Sequence, residues 1–155
     1  MLPRTSRRGF SLIELVIVVV IIGIIAAIAI PRMSRGAGGA QESALQSNLA
    51  TMRNAIDLYY TEHSNVFPVA ATFAAQMTQF SSDAGTTQAT KDATFIYGPY
   101  LRAIPALPVG AKKGSNGVDT ADGAGIGWIY TNATGQIRAN TTTEVDSRGV
   151  LYNTY

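Results

Sequence analysis

The chain of 155 residues carries twelve Lys and Arg against ten Asp and Glu, with no Cys and one His. Without Cys there is no disulfide and no thiolate metal site, and a single His excludes most nucleophile–base pairs. Arg4, Arg7 and Arg8 fall within the first nine residues, and the nine positive charges that follow are outnumbered by the ten acids, so no basic patch supports nucleic-acid binding.

The first element is the run Gly9 to Arg32, GFSLIELVIVVVIIGIIAAIAIPR. From Phe10 to Ile30 its only charge is Glu14, and the rest is almost entirely Ile, Val, Leu and Ala. As a helix it is about 30 Å long, the thickness of a bilayer's hydrocarbon core. Being apolar all round, it has no polar face to lay on water. A carboxylate one turn inside such a segment is costly, up to ~3 kcal/mol at a helix centre, and therefore points to a function. Ala27-Ile28-Ala29 resembles the cleavage site of a secretory signal peptide, but the apolar run is longer than a usual signal core and Glu14 interrupts its start. A plain anchor helix accounts for neither Glu14 nor the Gly9-Phe10 step, where a small residue that fits a tight protease subsite meets a bulky one. The three leading arginines favour a cytoplasmic N-terminus, partly offset by Arg32 and Arg35 on the far side.

The stretch RRGFSLIELVIVVVIIGIIAAIAIPR resembles the N-terminus of type IV pilins and of the pseudopilins of type II secretion. The match lies in a basic leader ending in Gly9, then Phe10, then Glu14 at the fifth mature position, then an apolar helix closed by Pro31. The resemblance implies that residues 1–9 are a leader removed after Gly9 by a membrane aspartyl prepilin peptidase, which also methylates the amine of Phe10. Residues 10–31 are then the transmembrane and assembly helix, and residues 32–155 a pilin-like periplasmic or extracellular domain. The implied protein is not an enzyme. It is a homopolymer-forming filament subunit, with other pseudopilins and an inner-membrane assembly platform as partners. A plain anchor needs no carboxylate at Glu14, whereas a polymer can pair it with the terminal amine of a neighbouring copy.

Beyond the anchor, Pro31 removes a backbone donor and is expected to kink or locally open the helix. Gly36, Gly38 and Gly39 form a second soft point, each costing about 1 kcal/mol relative to Ala in a helix. Leu45, Leu49, Met52, Ile56, Tyr59 and His63 then recur at three- and four-residue steps, with Gln46, Asn48, Arg53, Asn54, Asp57 and Glu62 mostly opposite. One long helix from about Phe10 to His63 follows, ending ahead of Pro68. His63 has no evident partner as ligand or base and reads as a helix-end residue favourable to the dipole, while Tyr59 and Tyr60 read as core and rim.

Val69 to Phe80 reads as a short second helix with Phe73, Met77 and Phe80 on one side, and Ser81 to Asp92 as a loop. Gly98 to Pro108 is an extended connection punctuated by Pro, and Ala111 to Gly125 is a Gly-rich loop. Gly127 to Tyr130, a turn at Asn132 to Gly135, and Gln136 to Asn140 read as a β-hairpin. Val150-Leu151-Tyr152 is a candidate closing strand. The order, a long helix followed by a small antiparallel sheet, is an α+β arrangement.

The helix end YYTEHSNVFP, the stretch YLRAIPALP and the aromatic hairpin are similar to G-type pseudopilins, the major subunits of the secretion pseudopilus. That resemblance implies calcium on acidic residues of the last loop, with Asp119 and Asp122 as candidates. The family's Asp-Pro-Trp is missing here, since Pro108 is followed by Val109-Gly110. Calcium takes six to eight oxygens, so two nearby carboxylates favour a solvated loop with no cofactor. There is no Walker A loop, no G-x-S-x-G and no H-E-x-x-H. Gly123, Gly125 and Gly127 precede a strand-like segment and form no dinucleotide fingerprint. Asn132-Ala133-Thr134 fits a glycosylation sequon, a triplet common by chance.

Overall fold

A computed structural model describes residues 11–155, and the backbone alone for residues 31–35. The first element, α1, spans Leu12–Glu62. It contributes to two compact units, one up to Ala37 and one from Gly38. In the first unit, Leu12–Ile30 has a mean hydropathy of 3.2 over 19 residues, long and apolar enough to cross a membrane. Its Leu, Ile and Val side chains are all exposed, from 49% at Val16 to 81% at Leu12, so every face of the helix offers apolar surface.

The helix passes Pro31 and the three glycines after it without interruption. The opening expected at Pro31 is therefore not present in this conformation. Proline lacks the N–H that would bond back one turn, but its ring holds φ near the helical value, so a single lost hydrogen bond weakens the turn without ending the helix.

In the second unit α1 buries the predicted face. Leu45, Leu49, Met52, Ile56, Tyr59 and His63 are all nine-tenths or more shielded, as is Ala55. Each large apolar side chain removed from water contributes about 1.5–3 kcal/mol. The helix ends in a left-handed cap: Ser64 and Asn65 have φ of 55° and 62°, and the amide of Asn65 donates to the carbonyl of Tyr60.

The rest of this unit completes one core. A 3-10 turn at Ala70–Thr72 leads into α2, Phe73–Thr78. The expected second helix is thus shorter and divided, because Asn132 Oδ1 accepts from the amide of Ala70 and Gln76 Oε1 from that of Val69, holding the entry as a tight turn. Phe73 and Met77 are buried as predicted, but Phe80 has left the helix for β1, Phe80–Ser81. β1 pairs antiparallel with β2, Thr87–Gln88, inside the segment expected to be a loop. Strands of two residues are too short to show alternation.

β3 (Gly117–Asp119), β4 (Ile126–Thr131) and β5 (Gln136–Ala139) form a three-stranded sheet in that order. The expected hairpin of β4 and β5 is present and antiparallel, with Tyr130 opposite Ile137. Trp128, Tyr130, Ile137 and Ala139 face the core, and the Trp128 indole donates to the Pro105 carbonyl at 2.8 Å. β3 is an addition to the expected sheet and runs parallel to β4, which makes the sheet mixed. Gly127 allows this close pairing, since a Cβ there would lie 2.2 Å from the Ser115 carbonyl. Leu101, Ile104, Leu107 and Val109 bring the Pro-punctuated connection into the same core. The expected closing strand is reduced to a single bridge between Val145 and Leu151, followed by a 3-10 turn at Tyr152–Thr154. The α+β order stands.

Candidate functional site

Gly9 and Phe10, the expected cleavage and methylation residues, lie outside the described residues. Glu14 lies within them, on the first turn of α1. The helix opens with the amide of Leu15 donating to the carbonyl of Ser11 at 3.2 Å. Glu14 Oε2 reaches back to accept from the amide of Ser11 at 3.4 Å. This is one half of a capping box, in which the third helical residue satisfies the amide of the cap. A carboxylate in the first turn also complements the positive end of the helix dipole. Glu14 therefore has a local use, and among the described residues it forms no ion pair. Ser11 escaped the sequence reading, although the Ser-x-x-Glu spacing is its signal.

The candidate ion loop is built differently from an open calcium site. Asp119 is exposed, and its Oδ1 accepts from the amide and hydroxyl of Thr120. Asp122 Oδ1 lies 2.8 Å from Lys112 Nζ and also accepts from Asn140 Nδ2 at 2.7 Å. The Lys112 ammonium, and next the Asn140 amide, hold the Asp122 carboxyl below its usual range. Lys112 Nζ further donates to the carbonyl of Gly123 at 3.0 Å. The position a cation would take against these two oxygens is filled by an ammonium. No group of three or more His, Asp or Glu side chains able to hold a metal occurs among the described residues. The donor set does not fit calcium.

His63 stacks on Tyr59, with ring centroids 3.7 Å apart and planes 5° from parallel. Its Nδ1 faces the Tyr59 carbonyl at 2.9 Å, and its Nε2 meets Ser81 Oγ at 3.1 Å. With both nitrogens engaged and the ring buried, it is a core residue joining α1 to β1.

Carboxylates that sequence reasoning passed over hold the C-terminal segment. Glu144 accepts from the amides of Ala111 and Thr142, each at 3.0 Å, and of Thr143 at 3.2 Å. These backbone donors, Ala111 first, push its pKa down from 4.5 to about 2. The shielded Asp146 side chain takes the Tyr155 hydroxyl, Arg148 Nε at 2.9 Å and the amides of Arg148 and Val150. Tyr155 first among these holds its carboxyl well below the usual range. Glu42 on α1 accepts from the amide and hydroxyl of Ser147 at 2.8 and 3.0 Å. No sequence pattern links residues so far apart in the chain.

The family model for the prokaryotic N-terminal methylation motif matches residues 4–30. The chain carries that motif across its basic leader and most of the apolar helix. No curated protein matches the chain, and neither does a solved structure.

Proposed function

We propose that this chain is a structural subunit of a type II secretion pseudopilus, which polymerises through its N-terminal helix once a prepilin peptidase has removed residues 1–9. The observation that carries the reading is the methylation motif at residues 4–30, set on an apolar helix whose one carboxylate is Glu14. Residues Leu12–Ile30 fit a single-pass anchor. In this reading the N-terminus is cytoplasmic, the anchor sits in the inner membrane, and the domain from residue 32 lies in the periplasm until assembly. The chain catalyses nothing. It works by packing against copies of itself, other pseudopilins and the assembly platform.

Glu14 is the residue on which polymerisation turns. In a lone helix its carboxylate has the Ser11 amide, headgroup water and lipid. An incoming copy brings the amine of Phe10 to the same depth. That amine has a reference pKa of about 8 and stays cationic when methylated. Each charge alone carries a desolvation penalty that pairing relieves, so pairing favours the docked state and sets its register.

The resemblance of the helix end, of YLRAIPALP and of the hairpin to G-type pseudopilins supports the secretion reading over a type IV pilus subunit or a minor pseudopilin. A reading from another class, a membrane-anchored periplasmic binding module that never polymerises, is favoured by one observation: Glu14 already serves α1 by capping Ser11. Crosslinking of wild type beside Glu14→Leu separates the two classes. The variant is expected to insert and to be cut after Gly9 as in wild type, yet to give few crosslinked multimers and little export. Gly9→Val is expected to block cutting, as read by mass spectrometry of the membrane-extracted chain. A wild type that gives no crosslinked multimers would select the anchored module, and wild-type multimers from Glu14→Leu would take Glu14 out of assembly.

A further inference from the structure

We infer that Lys112 is the resident cation of the segment Ala111 to Gly125, holding it closed as a bound divalent ion holds an oxygen-rich loop, so that this part of the fold needs no metal. The segment contains Gly114, Gly117, Gly123 and Gly125, and a backbone so rich in glycine has many conformations to lose on folding. Its first half is tied to the connection, with the Leu107 amide donating to the Ser115 carbonyl and the Gly114 amide to the Leu107 carbonyl, each at 2.8 Å. Its middle is tied by the pairing of β3 with β4. The remainder, Thr120 to Gly125, crosses from the end of one parallel strand to the start of the next in six residues, where parallel pairs normally need a dozen or more.

Two side chains from outside that stretch fix it. Lys112 Nζ bonds the Asp122 carboxylate at 2.8 Å and the Gly123 carbonyl at 3.0 Å. Asn140 Nδ2 bonds the same Asp122 oxygen and the Ile126 carbonyl, both at 2.7 Å. A carboxylate and a backbone carbonyl are the ligand types a calcium loop presents. Here they converge on an ammonium, whose three donors can serve both. The lysine side chain is only 32% exposed, so its stem is seated while its charge is spent inside the segment. These contacts hold whether or not the chain polymerises.

The test uses the full chain in detergent, comparing wild type with Lys112→Met and Lys112→Arg by amide exchange. Methionine keeps a stem of similar size and removes the charge together with the donors that serve Asp122 and Gly123. The expected result is about three-fold faster exchange at the Gly117 and Ile126 amides in Lys112→Met, the scale of a partly exposed ion pair. Lys112→Arg is expected to stay near wild type. Millimolar calcium or a chelator is expected to leave wild-type exchange and its unfolding midpoint unchanged. A calcium-dependent rise in the wild-type midpoint overturns the proposal, as does wild-type exchange in Lys112→Met. Filament assay results bear on neither arm, so failure here is distinct from failure of the pseudopilus reading.

Discussion

Glu14 has one electrostatic use in the structure and a second in the proposed function, and one substitution can separate them. As a cap it needs only an oxygen that accepts the Ser11 amide. As an assembly partner it needs a negative charge. Glutamine supplies the oxygen and not the charge. Glu14→Gln is therefore expected to keep the first turn of α1 formed and processing normal while multimers fall as they do in Glu14→Leu, with Glu14→Asp partly active. The check is crosslinking beside amide exchange at Leu15. Wild-type multimers from Glu14→Gln would make capping its whole role. Glu14 stood out in the sequence because a lone carboxylate in an apolar run is expensive. Glu144 and Asp146 did not, and Asp122 stood out only as a calcium candidate, because acids in a polar C-terminal half look alike until folding brings Ala111, Tyr155 and Lys112 to them.

At the scale of elements, what was legible followed from period. The face from Leu45 to His63 repeats over five turns, long enough for every large buried side chain to be named in advance, though not the small Ala55. β4 and β5 were legible from alternation and from the turn closed by Gly135, whose φ of 68° suits glycine. β1, β2 and β3 have two or three residues each and owe their existence to partners elsewhere, so no local pattern announces them. The segment Gly36 to Gly39 lies between these regimes. It is helical here, yet a Cβ at Gly36, Gly38 or Gly39 would meet nothing within 4 Å. Alanine at all three positions therefore adds helix propensity, about 1 kcal/mol each, without a clash. The triple variant is expected to slow amide exchange over residues 36–41 and leave the unfolding midpoint of the distal domain unlowered. If filament yield also falls, a helix able to loosen there is part of assembly; unchanged exchange would refute the propensity argument itself.

For the molecule as a whole, the distal domain has no disulfide, and its C-terminal segment is held by carboxylates. Glu144 ties Thr142 and Thr143 to Ala111, Asp146 gathers Arg148, Val150 and Tyr155, and Glu42 fastens Ser147 to α1. For the first two the folded pKa is depressed, from 4.5 to about 2 for Glu144 and downward from 3.8 for Asp146. A depressed carboxylate contributes stability that is fully present above its unfolded value and lost as pH falls through its folded one. Both groups therefore support the fold at neutral pH; Glu144 withdraws that support from about pH 4.5 down to about pH 2, and Asp146 withdraws its own from about pH 3.8 downward. The unfolding midpoint of the detergent-solubilised chain is expected to be flat from pH 7 to 5 and to fall steeply between pH 4.5 and 2. Glu144→Gln keeps an acceptor for some of the three amides but cannot ionise, so it is expected to lower the midpoint at pH 7 and to reduce the slope below pH 4.5. Asp146→Asn is expected to do the same more strongly, because its shielded side chain then faces Arg148 without a countercharge. Thermal scans across this range, wild type beside each variant, read both effects. Slopes below pH 4.5 equal to wild type in both variants would mean that acid unfolding starts elsewhere and that these carboxylates do not govern how the C-terminal segment is held.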